Sequence, residues 1–174
     1  MFTFIGRVSL TYMLCLSITP VFLQAQAGKD PKMLAHGSNY VQVSAPLAQS
    51  IVVKVKSKHD DIAKLGLHAV PPGATDNVII ACDIPAKIGK KSSAADLEKL
   101  AKATPIAARV DKEQIFDLLI PITDANGSDL GGGFVVMEVP YAKASNEAEA
   151  LKIGVAVRDE VQRQIPSKNA MYQP

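Results

Sequence analysis

The chain contains no tryptophan, and only two of its 174 residues are cysteines. Cys15 lies within an amino-terminal stretch that reads as a removable leader, which leaves Cys82 alone in the remaining chain. An intramolecular disulfide is therefore excluded there. The roughly 147 remaining residues must be held by a hydrophobic core, and a chain of that size buries about two-thirds of its unfolded surface as one domain.

An excess of charge of either sign is also missing. The chain carries 19 Lys and Arg against 17 Asp and Glu, a formal net charge of +2, and removing Arg7 with the leader lowers it to +1. No long run of like charges occurs. We therefore expect no nucleic-acid partner, and no membrane contact once the leader is removed.

A recognisable catalytic or metal-binding constellation is absent as well. The sequence shows no nucleophile with a base and no paired carboxylates. The three histidines, His36, His59 and His68, do not have the spacing of metal ligands. We expect a protein that is not an enzyme and holds neither a metal nor a cofactor, with haem on an axial His68 as a minor alternative.

The amino terminus has the pattern of a secretory signal. Arg7 precedes an uncharged run from Val8 to Leu23, and Ala25-Gln26-Ala27 places small residues before a polar segment. We predict a signal peptide over residues 1–27, cleaved after Ala27, and a periplasmic or secreted protein. An uncleaved anchor is the alternative that the pattern leaves open.

The rest of the chain divides into three parts. Residues 28–43 are polar without periodicity and predict a flexible lead-in, residues 44–166 form the domain, and residues 167–174 form a tail. Ser44 and Pro46 suit the start of a helix. This first helix is predicted to run to about Leu65, because its apolar residues recur at helical spacings: Leu47, Ile51, Val55, Ile62 and Leu65.

Alternating strands and helices follow the first helix. Strands are predicted at residues 77–82, 106–110, 115–123 and 131–139, with a short central helix at 94–103 capped by Ser93. Asn126-Gly127 predicts the turn of a hairpin. A last helix opens at Ser145 or Asn146 and closes before Pro166. The fold class is therefore α+β, an antiparallel sheet covered by a long amino-terminal, a short central and a carboxy-terminal helix.

The order of these segments resembles the extracytoplasmic PAS-like, or Cache, sensor domains. The resemblance rests on a Val78-Ile79-Ile80-Ala81 strand, Ile88-Gly89-Lys90, a helix, and a hairpin containing Pro121, Asp124, Gly127 and Gly131. It covers about residues 77–139. The resemblance implies a pocket for an amino acid, carboxylate or other small metabolite between the concave sheet and the segment after Gly89.

Six residues are candidates for ligand contacts. Arg109 and Asp117 are charged residues within apolar strands; on the inner face Arg109 would hold a carboxylate and Asp117 an amine, and on the outer face both are ordinary surface residues. Lys90, Ser92, Ser93 and His68 lie near the expected mouth of the pocket.

We therefore expect an exported sensor-like domain that binds a small polar metabolite and performs no catalysis. An envelope structural or protein-interaction domain whose sheet face is packed shut, dimerising through its first helix, is the alternative. A haem-binding protein is the third reading.

Overall fold

The computed structural model describes residues 38–174, so the predicted signal peptide and most of the predicted lead-in lie outside the described residues. The described chain is α+β, with a five-stranded antiparallel sheet and three α-helices. The elements are α1 (Pro46–Lys56), β1 (Lys64–Ala69), β2 (Val78–Cys82), α2 (Ala94–Leu100), β3 (Ile106–Val110), β4 (Ile115–Thr123), β5 (Asp129–Pro140) and α3 (Glu147–Gln164), with 3₁₀ turns at Pro85–Lys87 and Asn169–Tyr172.

The strands lie in the order β2-β1-β5-β4-β3, and β4 and β5 form the predicted hairpin. The carboxylate of Asp124 accepts hydrogen bonds from the backbone N–H groups of Asn126 and Ser128, at 2.8 and 2.9 Å, which fixes the turn. Gly127 takes the positive φ, +83°, that this turn requires. The predicted strands β3 and β4 are confirmed at their bounds, and β2 begins one residue later than predicted, at Val78.

The predicted length of the first helix is wrong. It ends at Lys56, and residues 64–69 form the strand β1 at the second position of the sheet. Leu65, Leu67 and Ala69 alternate toward the core and are fully buried, the period of two expected of a strand. The helical spacing of Ile62 and Leu65 was coincidental, because a polar bend at residues 57–61 separates the two elements.

The predicted dimer through the first helix stays a prediction that the packing of α1 does not support. The apolar face of α1 packs inside its own domain, against β1, β2, α3 and the 3₁₀ turn at Asn169–Tyr172. Its buried residues are Ala48, Ile51, Val52 and Val55. Val53 is the large apolar residue that α1 leaves exposed, so no apolar stripe remains on this helix for a second copy.

Both ends of the described chain pack on the domain, although residues 28–43 were predicted as a flexible lead-in and residues 167–174 as a tail. The backbone of Val41 donates to Gly89 at 2.8 Å, and Tyr40 bridges to Lys90, so residues 39–41 lie along the segment after β2. At the other end the turn at Asn169–Tyr172 packs on α1 and buries Met171 completely.

We expect Met171→Ala to lower the free energy of unfolding by about 2–4 kcal/mol, because it leaves a cavity beneath α1. Gln173→Ala, at an exposed neighbour, is the control and should change it by less than about 0.5 kcal/mol. Urea denaturation of the full chain measures both. Equal stability of the two variants would mean that the tail does not contribute to the core.

The two faces of the sheet are covered unequally. α1 and α3 pack on one face and form the core with the inward residues of β1, β4 and β5. On the opposite face lies α2, a helix of seven residues, none of which is buried. Its Leu97 is 40% exposed. A large part of this second face is therefore left open.

Candidate functional site

A hollow lies on the open face of the sheet. Lys64, Gly66 and His68 alternate toward this face on β1, and Gly66, directly opposite Val136 on β5, contributes no side chain. The hollow has a volume of about 300 Å³, at the lower end of the range for small-molecule pockets. Its lining is Lys64, His68, Ile79, Lys87, Lys90, Lys91, Ser92, Ser93, Asp96, Val110, Glu113, Ile115, Asp117, Val136 and Glu138.

Five of the six residues predicted from the sequence line this one hollow. They come from three separate parts of the chain: His68 from β1, Asp117 from β4, and Lys90, Ser92 and Ser93 from the segment before α2. Ser93 also caps α2 as predicted, since its hydroxyl accepts the N–H of Asp96 at 3.1 Å.

Arg109 is the exception and does not belong to this site. It pairs with Phe116, one residue from Asp117, and because side chains alternate along a strand it points to the other face. There its Nε donates to Asp111 at 2.7 Å, and its guanidinium lies 4.6 Å from the ring centre of Tyr141. The predicted carboxylate clamp at Arg109 is therefore wrong for this pocket.

His68 is held in place by a chain of hydrogen bonds. Its Nδ1 lies 2.8 Å from the hydroxyl of Ser92, which donates to the side-chain oxygen of Asn77 at 2.6 Å, and Asn77 donates to the carbonyl of Gly132 at 2.9 Å. The imidazole also stacks on Phe134, with ring centres 4.4 Å apart. The ring therefore has one orientation.

This chain of contacts also fixes the tautomer of His68. A hydroxyl has one proton, and Ser92 gives it to Asn77, so Nδ1 of His68 must be the donor to Ser92. Burial lowers the pKa of His68 to about 3, and the positive charge of Lys64 acts in the same direction. The neutral ring thus carries its proton on Nδ1, and Nε2 keeps a free lone pair.

Nε2 of His68 has no hydrogen-bond partner among the described residues, although the side chain as a whole is only 7% exposed. It is not among the fully buried polar atoms of residues 38–174 that lack a partner, so it keeps some access to the hollow. An acceptor of this kind is satisfied by an N–H or O–H group of a ligand, or by a water molecule.

A row of three charged side chains crosses the hollow. Lys64 on β1 faces Glu138 on β5, which in turn faces Asp117 on β4. Lys64 and Glu138 form an ion pair, both partly buried. Burial acts to lower the pKa of Lys64, but the hydrogen bond and charge of Glu138 and the charge of Asp117 outweigh it, so the pKa lies above its usual value.

Asp117 is the unsatisfied member of this row. Its side chain is partly buried, and no hydrogen bond or ion pair to it is found within residues 38–174. Burial raises the pKa of Asp117, the charge of Lys64 opposes this, and the charge of Glu138 adds to it. The charge of Lys64 therefore does not fully offset the loss of hydration at the Asp117 carboxylate.

We expect Asp117→Asn to stabilise the protein at neutral pH by roughly 0.5–1 kcal/mol. The folded state raises the pKa of Asp117, so the wild type loses stability as the pH rises from the unfolded value, 3.8, through the folded one. The advantage of the variant should thus vanish in acid below pH 3.8. Thermal unfolding from pH 3 to 7 measures it.

Asp111→Asn is the matched control for this prediction. The hydrogen bonds of Arg109 and Tyr141 lower the pKa of Asp111, so the sign is reversed and removing its charge should destabilise the protein as the pH rises above the folded pKa. A loss of stability in Asp117→Asn at pH 7 would contradict our account of an unpartnered carboxylate.

Several lining residues were not predicted from the sequence. Lys64 was hidden within the helix wrongly extended to residue 65, and Lys87 lies in an irregular 3₁₀ turn. Glu138 did carry a usable signal, since it is a charged residue inside an apolar strand, as Asp117 is. A correct register for the predicted hairpin would have placed these two carboxylates side by side.

The residues of the site do not form a metal centre. No group of three or more His, Cys, Asp or Glu side chains that would hold a metal ion occurs in the described range. Haem on His68 stays a prediction, and a hollow of about 300 Å³ suits a smaller ligand. Within residues 38–174 no helix has the length and apolar character needed to cross a bilayer.

Among known proteins, similarity to this chain is found in solved structures. No protein-family model and no curated protein matches the chain. The C-terminal domain of the E. coli transcriptional regulator KdgR is 13% identical, with 71% of this chain and 96% of that domain covered and a TM-score of 0.44. The Agrobacterium tumefaciens repressor BlcR is 12% identical, with 68% and 67% covered and a TM-score of 0.39.

These neighbours contradict the predicted PAS-like, or Cache, resemblance, because they are parts of a transcriptional regulator and a repressor and not extracytoplasmic sensors. The same neighbours also contradict three other predictions: an exported sensor, a periplasmic or secreted location, and the absence of a nucleic-acid partner. At these identities the similarity is one of fold, and it names no ligand for this chain.

Proposed function

We propose that this chain is a small-molecule-binding domain that holds a polar ligand in the hollow of its sheet and does not transform it. The observation that carries the proposal is the pair of unsatisfied acceptors around unfilled space, Nε2 of His68 and the carboxylate of Asp117. Both acceptors reach the hollow and have no hydrogen-bond partner within residues 38–174, so water or a ligand must supply their donors.

The chemistry of the hollow supports binding over catalysis. A general base needs a pKa near the working pH, and His68, at about 3, does not take up a proton at neutral pH. Ser92 donates its proton to Asn77 and receives one from His68, so it has no base beside it to activate it as a nucleophile. Both residues suit fixed hydrogen-bonding roles.

The open face also argues against the structural alternative. A protein-interaction domain with its sheet packed shut would fill the space above Gly66 and Val136 with apolar side chains. Instead, this face carries charged residues from β1, β4 and β5 around about 300 Å³ of free volume.

Isothermal titration of the full chain against a panel of small polar compounds tests the proposal. The panel contains amino acids, short peptides, dicarboxylates and monosaccharides. We expect saturable binding of at least one class with one site per chain, weakened in Asp117→Asn. Absence of binding across the panel, or binding unaffected by Asp117→Asn and His68→Phe together, would remove the hollow as the site.

A further inference from the structure

The unpaired charges of the hollow are separated by sign across the sheet. Lys87 and Lys90 come from the segment that follows β2, and neither has an ion pair among the described residues, whereas Lys91 binds Asp76. Three lining carboxylates have no ion pair within residues 38–174: Asp117 on β4, Glu113 in the turn before it, and Asp96 on α2, whose charge acts on Asp117. The free cations thus lie toward β2 and the free anions toward β4.

These two sides are separated by intervening strands. The sheet order places β1 and β5 between β2 and β4, and neighbouring strands lie about 4.8 Å apart, so the backbones of β2 and β4 are about 14 Å apart. Lysine side chains reach inward across part of that distance. A ligand that satisfies both sides must therefore carry its opposite charges well apart.

The base of the hollow, between these two sides, presents a hydrogen-bond acceptor that lacks a donor. His68, on β1, is more than nine-tenths buried and offers the lone pair of Nε2 to the hollow. Lys64 and Glu138 already satisfy one another. A ligand made only of methylene groups would leave Nε2 without a partner, whereas an inner N–H would provide one.

Resting on the proposed function, we infer that the ligand is an extended zwitterion of dipeptide size. Its carboxylate binds Lys87 and Lys90, its ammonium group binds Asp117, and its inner N–H donates to Nε2 of His68. An α-amino acid is too short to reach both sides. A dicarboxylate has no cation for Asp117 and adds a second negative charge beside it.

Three probes of graded structure test this inference on the full chain by isothermal titration. Glycine carries both charges close together, and 5-aminopentanoate and glycylglycine carry them at the ends of chains of equal length. We expect glycylglycine to bind about fivefold more tightly than 5-aminopentanoate, the contribution of one neutral hydrogen bond. Glycine should bind at least about tenfold more weakly than glycylglycine.

Two variants assign the contacts. His68→Phe keeps an aromatic ring on Phe134 but removes Nε2, and should abolish the preference for glycylglycine over 5-aminopentanoate. Asp117→Asn should weaken both long probes about tenfold, the loss of one charged contact, while leaving the fold intact. Arg109→Ala, on the opposite face, is the control and should leave every affinity unchanged.

The outcomes separate this inference from the proposed function. If dicarboxylates or sugars bind and the zwitterion series does not, or if glycine binds as tightly as glycylglycine, the ligand class is wrong and the hollow remains a binding site. A preference for glycylglycine that survives His68→Phe removes the role of His68. If no compound binds, the proposed function itself fails.

Discussion

Gly89→Ala should lower the free energy of unfolding by about 3 kcal/mol or more and abolish ligand binding. Gly89 has φ +87°, and a Cβ there would lie 2.3 Å from the backbone carbonyl oxygen of Val41. Backbone atoms cannot rotate away as a side chain does, so the strand-like contact between residues 39–41 and 89–91 must open. That contact supports the wall carrying Lys90 and Ser92.

Gly73→Ala separates the cost of a positive φ from the cost of the close contact with Val41. Gly73 also has a positive φ, +75°, but a Cβ there meets nothing within 4 Å. Its variant should therefore lose only about 1 kcal/mol, the cost of the left-handed backbone for an ordinary residue, and retain binding. Chemical denaturation of both variants is the measurement, and equal losses would show that the contact with Val41 carries no strain.

Val136→Phe should reduce the affinity for a bound ligand at least about a hundredfold, roughly 2.7 kcal/mol, with little change in stability. Val136 is partly exposed at the floor of the hollow, directly opposite Gly66. A phenyl group there extends into free volume and not into packed atoms, so it occupies the space that the ligand needs.

Val53→Phe is the matched control for Val136→Phe, because it makes the same substitution away from the hollow. Val53 is 49% exposed on α1, on the far side of the sheet, so this variant should bind as the wild type does. Titration of both variants with the tightest compound of the panel measures the difference. Undiminished binding to Val136→Phe would mean that the ligand lies somewhere other than the hollow.

Strands with a local signal could be predicted from the sequence, and β1 could not. β2, β3 and β4 were bounded by proline, glycine or an Asn-Gly turn, and the structure has them within one residue of the predicted bounds. β1 follows α1 after a short polar bend, and its Leu65 happens to continue the helical spacing. Pairing with β2 and β5 decides its conformation, and that pairing is a tertiary effect.

The candidate site was predictable as a set of residue types but not as a geometry. The presence of charges inside apolar strands selected both Asp117, which lines the hollow, and Arg109, which does not. The two lie on opposite faces because β3 pairs with β4 in a register that sets Ala108, not Arg109, against Asp117. A shift of one residue reverses every side chain of a strand, and single-chain patterns do not determine that register.

The erroneous PAS-like resemblance has a related cause. One of its elements was the hairpin around Asp124 and Gly127, whose residues are selected by the backbone of the turn itself. Such turn chemistry recurs in unrelated sheets, because any tight hairpin needs positive φ angles and an acceptor for its free N–H groups. It therefore carried little information about family.

The central claim is that the hollow on the open face of the sheet receives a small polar ligand. Backbone ¹H–¹⁵N correlation spectra of the full chain, recorded during titration with glycylglycine and with the tightest compound of the panel, test this most directly. We predict that saturable shift changes concentrate at residues 64–68, 87–93, 117 and 136–138. Changes centred on α1 and α3, or spectra that do not move at saturating concentrations, would contradict it.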